Sequence, residues 1–171
     1  MLTTAQVKEH LRIEHDDEDA LIDNITLAAY QFAETYTSIS ILDVEQVDKL
    51  DDFQSEITLN HPNTQSITSI TYSDTDDAQQ TQTDYYLDTR EYNDTLTPLN
   101  NESWPDTNQA YENVVITYQT GFATIPEQIN QAVLLIITDL YENRGGIILG
   151  VSLNKTNAAE YLLNPYKIML V

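Results

Sequence analysis

A chain of 171 residues with 41% apolar side chains is long and apolar enough to bury a core, so composition excludes a disordered tail. The balance of 28 acidic against 7 basic residues, net -21, excludes a protein that grips the phosphates of DNA. The absence of cysteine excludes disulfides and thiolate metal sites.

No basic, apolar leader is legible at the N-terminus. The longest apolar run, Ala132 to Ile137, is too short to span a bilayer. These features predict a soluble protein made in a cytoplasm. The acidity fits three roles that composition does not separate. It is a solubility surface, a wall past which DNA slides, or a DNA mimic that occupies a basic partner.

Thr3 and Gln6 have capping-box spacing and predict a first helix that stops near Ile13. The run from His15 to Asp19 opens a second, because acidic residues complement the positive end of a helix. Leu21, Ile25, Ala28, Ala29, Phe32 and Tyr36 keep helical spacing along it. Between about residues 51 and 124 β-branched residues alternate with polar ones. Strands are predicted around 55–60, 66–72, 85–89, 96–99 and 114–118, with a polar loop from Ser73 to Thr83.

Thr124 and Glu127 again have capping-box spacing, with Pro126 at an early helical position. The helix they predict runs to Arg144 and ends at Gly145 and Gly146. Its run of six apolar residues predicts burial on every side, by the N-terminal helices or by a neighbouring copy. Ile129, Val133, Ile136, Ile137, Leu140, Tyr141 and Arg144 are the candidates for core or subunit interface. A last helix is capped at Asn157, reaches Leu163 and is ended by Pro165. The expected fold is mainly α with an inserted β subdomain: a helical bundle plus a small antiparallel sheet. Its parts are an N-terminal helical part over 1–50, the β insertion over 51–124 and the C-terminal helices and tail over 125–171.

Several patterns invite a chemical reading and have a plainer one. Asp16, Asp17, Glu18 and Asp19 lack the alternation, glycine and distal Glu of a calcium loop, so helix capping is the expectation. Asp74, Asp76 and Asp77 alternate but also lack that glycine. His10, His15 and His61 do not have convergent zinc spacing. Phosphate-loop, dinucleotide, nucleophile-elbow and zincin motifs are absent. Tyr72, Tyr85, Tyr86 and Tyr118 fall on predicted strands without interleaved Lys or Arg, which favours sheet packing over base stacking. No cofactor, metal or catalytic residue is expected.

An ordered set of segments carries a family resemblance. LTTAQVKEHLRIEHDDEDALI (2–22), SITSITYSD (66–74), SWP (103–105), YQTGF (118–122), IPEQINQA (125–132), LYENR (140–144) and LLNPYK (162–167) fall in the order found in one family. The chain resembles the head–tail connector (adaptor) proteins of tailed bacteriophages and prophages. The resemblance implies a structural protein of the virion, assembled as a ring of about twelve copies under the portal protein. Such a ring extends the DNA channel and offers a platform to the stopper or tail-completion protein. By the same resemblance the C-terminal tail reaches the portal, and its apolar end fits that role. Tyr166, Ile168, Met169, Leu170 and Val171 are the candidate portal contacts. The alternatives from other classes are an acidic DNA-mimic inhibitor and, less favoured, a carboxylate-metal hydrolase.

Overall fold

A computed structural model describes residues 1–90, 93–143 and 158–168. The chain forms two compact units. Residues 1–41 and 124–168 make a helical unit, and residues 42–123 make a β unit.

The helical unit holds α1 (Thr4–Leu11), α2 (Asp19–Thr37), α3 (Glu127–Glu142) and α4 (Ala158–Leu163). The capping box of α1 is formed: the Thr3 side chain accepts from the Gln6 N–H while the Gln6 side chain accepts from the Thr3 N–H. The helix ends where Arg12 turns into the left-handed region. By contrast, the capping box predicted for α3 is not made. Pro126 occupies the cap position and no side chain caps there. Its fixed φ and missing N–H suit that place without a cap.

The inner side of α2 is built from small or hydroxyl-bearing residues, which let the helices approach closely. Ile22, Thr26, Ala29, Tyr30, Ala33 and Thr37 are buried. Thr26 and Thr37 return their hydroxyls to the carbonyls of Ile22 and Ala33, each at 2.7 Å, so neither is an unmet polar group. From α3, Ile129, Ala132, Val133, Leu134 and Ile137 are buried. Tyr30 ties the unit together: its hydroxyl accepts from the Leu2 N–H and donates to Asn130 Oδ1, both at 3.0 Å.

The β unit has seven strands: β1 (Val44–Leu50), β2 (Ile57–Thr58), β3 (Thr64–Ser73), β4 (Gln79–Thr81), β5 (Tyr85–Asp88), β6 (Thr95–Pro98) and β7 (Val114–Thr120). They form two antiparallel sheets, β1-β7-β3-β4 and β2-β6-β5. β7 alternates strictly. Val114, Ile116, Tyr118 and Thr120 are buried and the residues between them half-buried. Ile57, Leu59, Ile70 and Leu96 join the first three of those in one core shared by both sheets. Gly121 ends β7 at φ +91°, where a Cβ would stand 1.9 Å from the Leu42 carbonyl oxygen. Only glycine fits that turn without moving the backbone.

This architecture corrects the expectation of a mainly α bundle. The protein is mixed α/β, because the two sheets enclose a core of their own rather than forming a small appendage. Two strands in particular were read otherwise. β1 places Val44, Val47 and Leu50 at a spacing of three, which does not look like a strand, and is held by pairing along its whole length with β7. β4 is polar and fully exposed, and pairs only with β3 across a tight turn.

Candidate assembly interface

The acidic segment before α2 is engaged by a cation from α1. Lys8 Nζ lies 2.5 Å from Asp16 Oδ1 and 2.8 Å from Asp19 Oδ1. These hydrogen bonds raise the Lys8 pKa, and the one from Lys8 lowers that of Asp16. The segment thus clips α1 to the start of α2. In the loop between β3 and β4, Asp74 Oδ1 accepts from the N–H groups of Asp76 and Ala78, and its Oδ2 from Gln80 Nε2. These bonds lower its pKa and make it the organiser of a hairpin turn. Among the described residues no three His, Asp or Glu side chains converge on a point where a metal ion would sit. His10 instead faces Thr138 Oγ1 at 3.1 Å.

The β unit contains a cleft of about 810 Å³ lined by Asp52, Phe53, Glu102, Trp104, Asp106 and neighbouring residues. Its aromatic wall is Trp104 stacked on Phe53, with ring centroids 4.9 Å apart, and Phe53 meets Tyr72 edge-on. The Trp104 indole N–H is buried and unpartnered among the described residues. Asp52 is already held by Phe53 N–H, Thr107 Oγ1 and Gln109 Nε2, so it braces its loop instead of standing as a free acid. The buried carboxylate of Asp48 accepts from Tyr118 Oη at 2.9 Å and from the Asn60 N–H at 2.9 Å. Burial, then the bond to Asp48, raises the Tyr118 pKa. Tyr118 therefore serves sheet packing and a buried bond, and base stacking is not open to it.

The candidates on α3 divide into two groups. Ile129, Val133 and Ile137 are fully buried within the helical unit. Ile136 and Tyr141 are half-buried, and the Tyr141 hydroxyl donates to Glu18 Oε2. Leu135 on the apolar run and Leu140 beyond it are each about 40% exposed, so the described residues do not cover α3 on every side. Arg144 lies outside the described residues.

In the C-terminal segment, Tyr166 Oη contacts Gln128 Oε1 at 3.3 Å and the Ile168 N–H donates to the Thr37 carbonyl at 2.9 Å. Lys167 Nζ sits 4.3 Å from the centre of the Tyr36 ring. Met169, Leu170 and Val171 lie outside the described residues.

One surface was not read from the sequence. Leu21, Ala28 and Phe32, taken as part of one helical stripe with Ala29, are exposed, whereas Ala29 faces the core. Two apolar arcs run side by side along α2, and periodicity alone cannot tell which of them is inward. Small residues do not decide it either, because Ala20 and Ala28 are exposed while Ala29 and Ala33 are buried.

A family model described as "Head completion protein" matches residues 1–145. The chain belongs to the head completion protein family. Membership makes it a head–tail connector of a phage-like particle. No curated protein sequence matches it. Among solved structures, it is similar to a chain in the neck of an empty GTA particle computed with C6 symmetry. That match has 19% identity and a TM-score of 0.80, and covers 99% of this chain and 91% of the other. A chain from the virion of a native gene transfer agent (GTA) particle gives 18% identity, a TM-score of 0.80 and the same coverage. A chain in the neck of the native GTA particle computed with C12 symmetry gives 18% and 0.74, covering 98% and 89%. At these identities the structural likeness shows a shared fold alone, and the family match carries the role.

Proposed function

We propose that this chain is one subunit of a ring in the neck of a phage-like particle, seated under the portal protein and joining the head to a stopper or tail-completion protein. The family match over residues 1–145 carries the proposal. The likeness to chains from necks computed with C6 and C12 symmetry supports the ring. On this reading the chain has a structural task and no catalytic one. Its acidic surface serves the DNA path: a channel wall rich in carboxylates repels phosphates, so the genome passes without adhering.

The portal contact is assigned to the C-terminal end, with Tyr166 and Ile168 as its anchor and Met169, Leu170 and Val171 as its reach. The bond from Ile168 N–H to the Thr37 carbonyl supports this division, because it moors the chain just before the apolar end. Candidates on the exposed side of α3, Leu140 above all, belong to contacts between copies. Ile129, Val133 and Ile137 hold the fold.

The test is a producer strain that cannot make this chain. Electron microscopy is expected to find heads without tails, and tails separate from them. Normally tailed particles would overturn the proposal. Deleting residues 169–171 is expected to leave the melting temperature unchanged and to abolish co-purification with the portal. Retention of the portal would remove the tail from that role.

A further inference from the structure

In a chain of net charge -21, the outward half of α2 carries no charge at all. At 3.6 residues per turn, the exposed Leu21, Asn24, Leu27, Ala28, Gln31 and Phe32 fall on the half of the helix opposite the buried residues, while Tyr36 at its end is covered by Asn164 and Lys167. Leu27 is 44% exposed and Phe32 49%. The acids of this helix are Asp19, Asp23 and Glu34, and each is turned back into its own unit. Asp19 accepts from Lys8 Nζ at 2.8 Å, Asp23 from Thr4 Oγ1 at 2.6 Å, and Glu34 from the Ile41 N–H at 2.8 Å. The helix spans roughly 28 Å at 1.5 Å per residue, so the uncharged face is a long one.

We infer that this face of α2 is the seam along which one copy of the chain meets the next. This inference rests on the ring reading above and names the surface that closes the ring. The physical reason is charge. Two copies each of net charge -21 repel one another wherever carboxylates face carboxylates. Contact between them is favourable only over a surface from which charge has been removed and on which apolar area is gained. A basic partner would find its complement in the carboxylates elsewhere and gain nothing from this face. Nucleic acid is repelled by the chain as a whole. The face also has the mixture that interfaces use. Leu21, Ala28 and Phe32 form one apolar edge and Leu27 the other, with the uncharged polar residues Asn24, Gln31 and Thr35 between them.

The seam is tested by placing a photoreactive benzoylphenylalanine at Phe32 in the full chain, letting it assemble into particles, irradiating them and resolving the products on a denaturing gel. Tyr86, 47% exposed on β5, takes the same probe as a control. A ladder at multiples of the 19.5 kDa chain is expected from position 32 and little from position 86. Products with a different protein only, or equal ladders from both positions, would overturn the seam. So would no product from position 32 in necks whose native mass still contains many copies. In each of those cases the ring reading survives. A neck containing a single copy would end both.

Discussion

Removing the Tyr118 hydroxyl perturbs the best-defined polar contact of the β unit. Tyr118→Phe keeps the ring and its place in the core, so no cavity opens and the change isolates the hydroxyl. That hydroxyl donates to Asp48 Oδ2 at 2.9 Å and accepts from the His61 N–H at 3.2 Å, and Asp48 is only 5% exposed. A hydrogen bond to a charged group contributes about 1.5–3 kcal/mol. Asp48 keeps one donor, the Asn60 N–H, and His61 lies where water can reach it, so the lower half of that range applies. The expected loss is about 2 kcal/mol, or a fall of roughly 1 M in the urea midpoint. The assay is urea unfolding followed by fluorescence of Trp104, the only tryptophan, which is stacked on Phe53 in the same unit. Tyr111→Phe, at a side chain 83% exposed, should move the midpoint hardly at all. The sign of the pH dependence follows from the raised Tyr118 pKa. The folded state holds the phenolic proton more tightly than the unfolded state, whose tyrosines ionise near pH 10. Stability from this group is therefore complete below pH 10 and is lost as pH rises beyond it. Tyr118→Phe should flatten that alkaline decline. A midpoint within about 0.3 M of the parent, or an alkaline decline as steep as the parent's, would refute the buried Tyr118–Asp48 bond.

Gly121→Ala is expected to destabilise the β unit by about 2 kcal/mol or more, seen in the same Trp104 melt, because the new Cβ meets the Leu42 carbonyl at 1.9 Å. Acid should remove a small, screened stabilisation from exposed carboxylates whose pKa values are lowered: Asp16 by Lys8, Glu112 by Lys49, Asp74 by Gln80, and Asp88, at about 2, by Arg90. Each holds its proton less tightly when folded, so its stabilisation is present above about pH 4 and lost as pH falls toward 2, which circular dichroism against pH will follow. Added salt should raise the melting temperature, since screening relieves self-repulsion at net -21. The purified protein should leave DNA unretarded in gel shifts at physiological ionic strength, whereas a shifted band would point to a basic stripe.

α1 was legible because its start signal is local: Thr3 and Gln6 cap each other as their spacing implies. α2 and α3 were legible from apolar spacing instead, since neither begins with a side-chain cap. β2 and β3 were legible for a similar reason, β-branched residues alternating with polar ones, and β7 by its β-branched run. What escaped was decided by distant partners. β1 is a strand because β7 lies beside it, and its charged residue Asp48 points inward because Tyr118 and the Asn60 N–H wait there. The polar β4 exists because Asp74 closes the turn that returns it to β3. Among the interface candidates, apolar character along α3 marked Ile129 and Leu140 alike, although one is buried and the other is exposed. On α2 the same ambiguity hid an outward apolar face behind an inward one, and the alanines did not set them apart, because Ala20 and Ala28 lie outward while Ala29 and Ala33 lie inward. The resemblance to connector proteins came from the order of whole segments, which survives such local errors.

Whether this chain stands in a ring between head and tail is decided by cryo-electron microscopy of the particle neck, with each ring fitted independently. One closed ring is expected whose density takes this fold in every subunit, with the uncharged face of α2 turned to the adjacent copy. A neck resolved to side chains with no ring of this fold would contradict it.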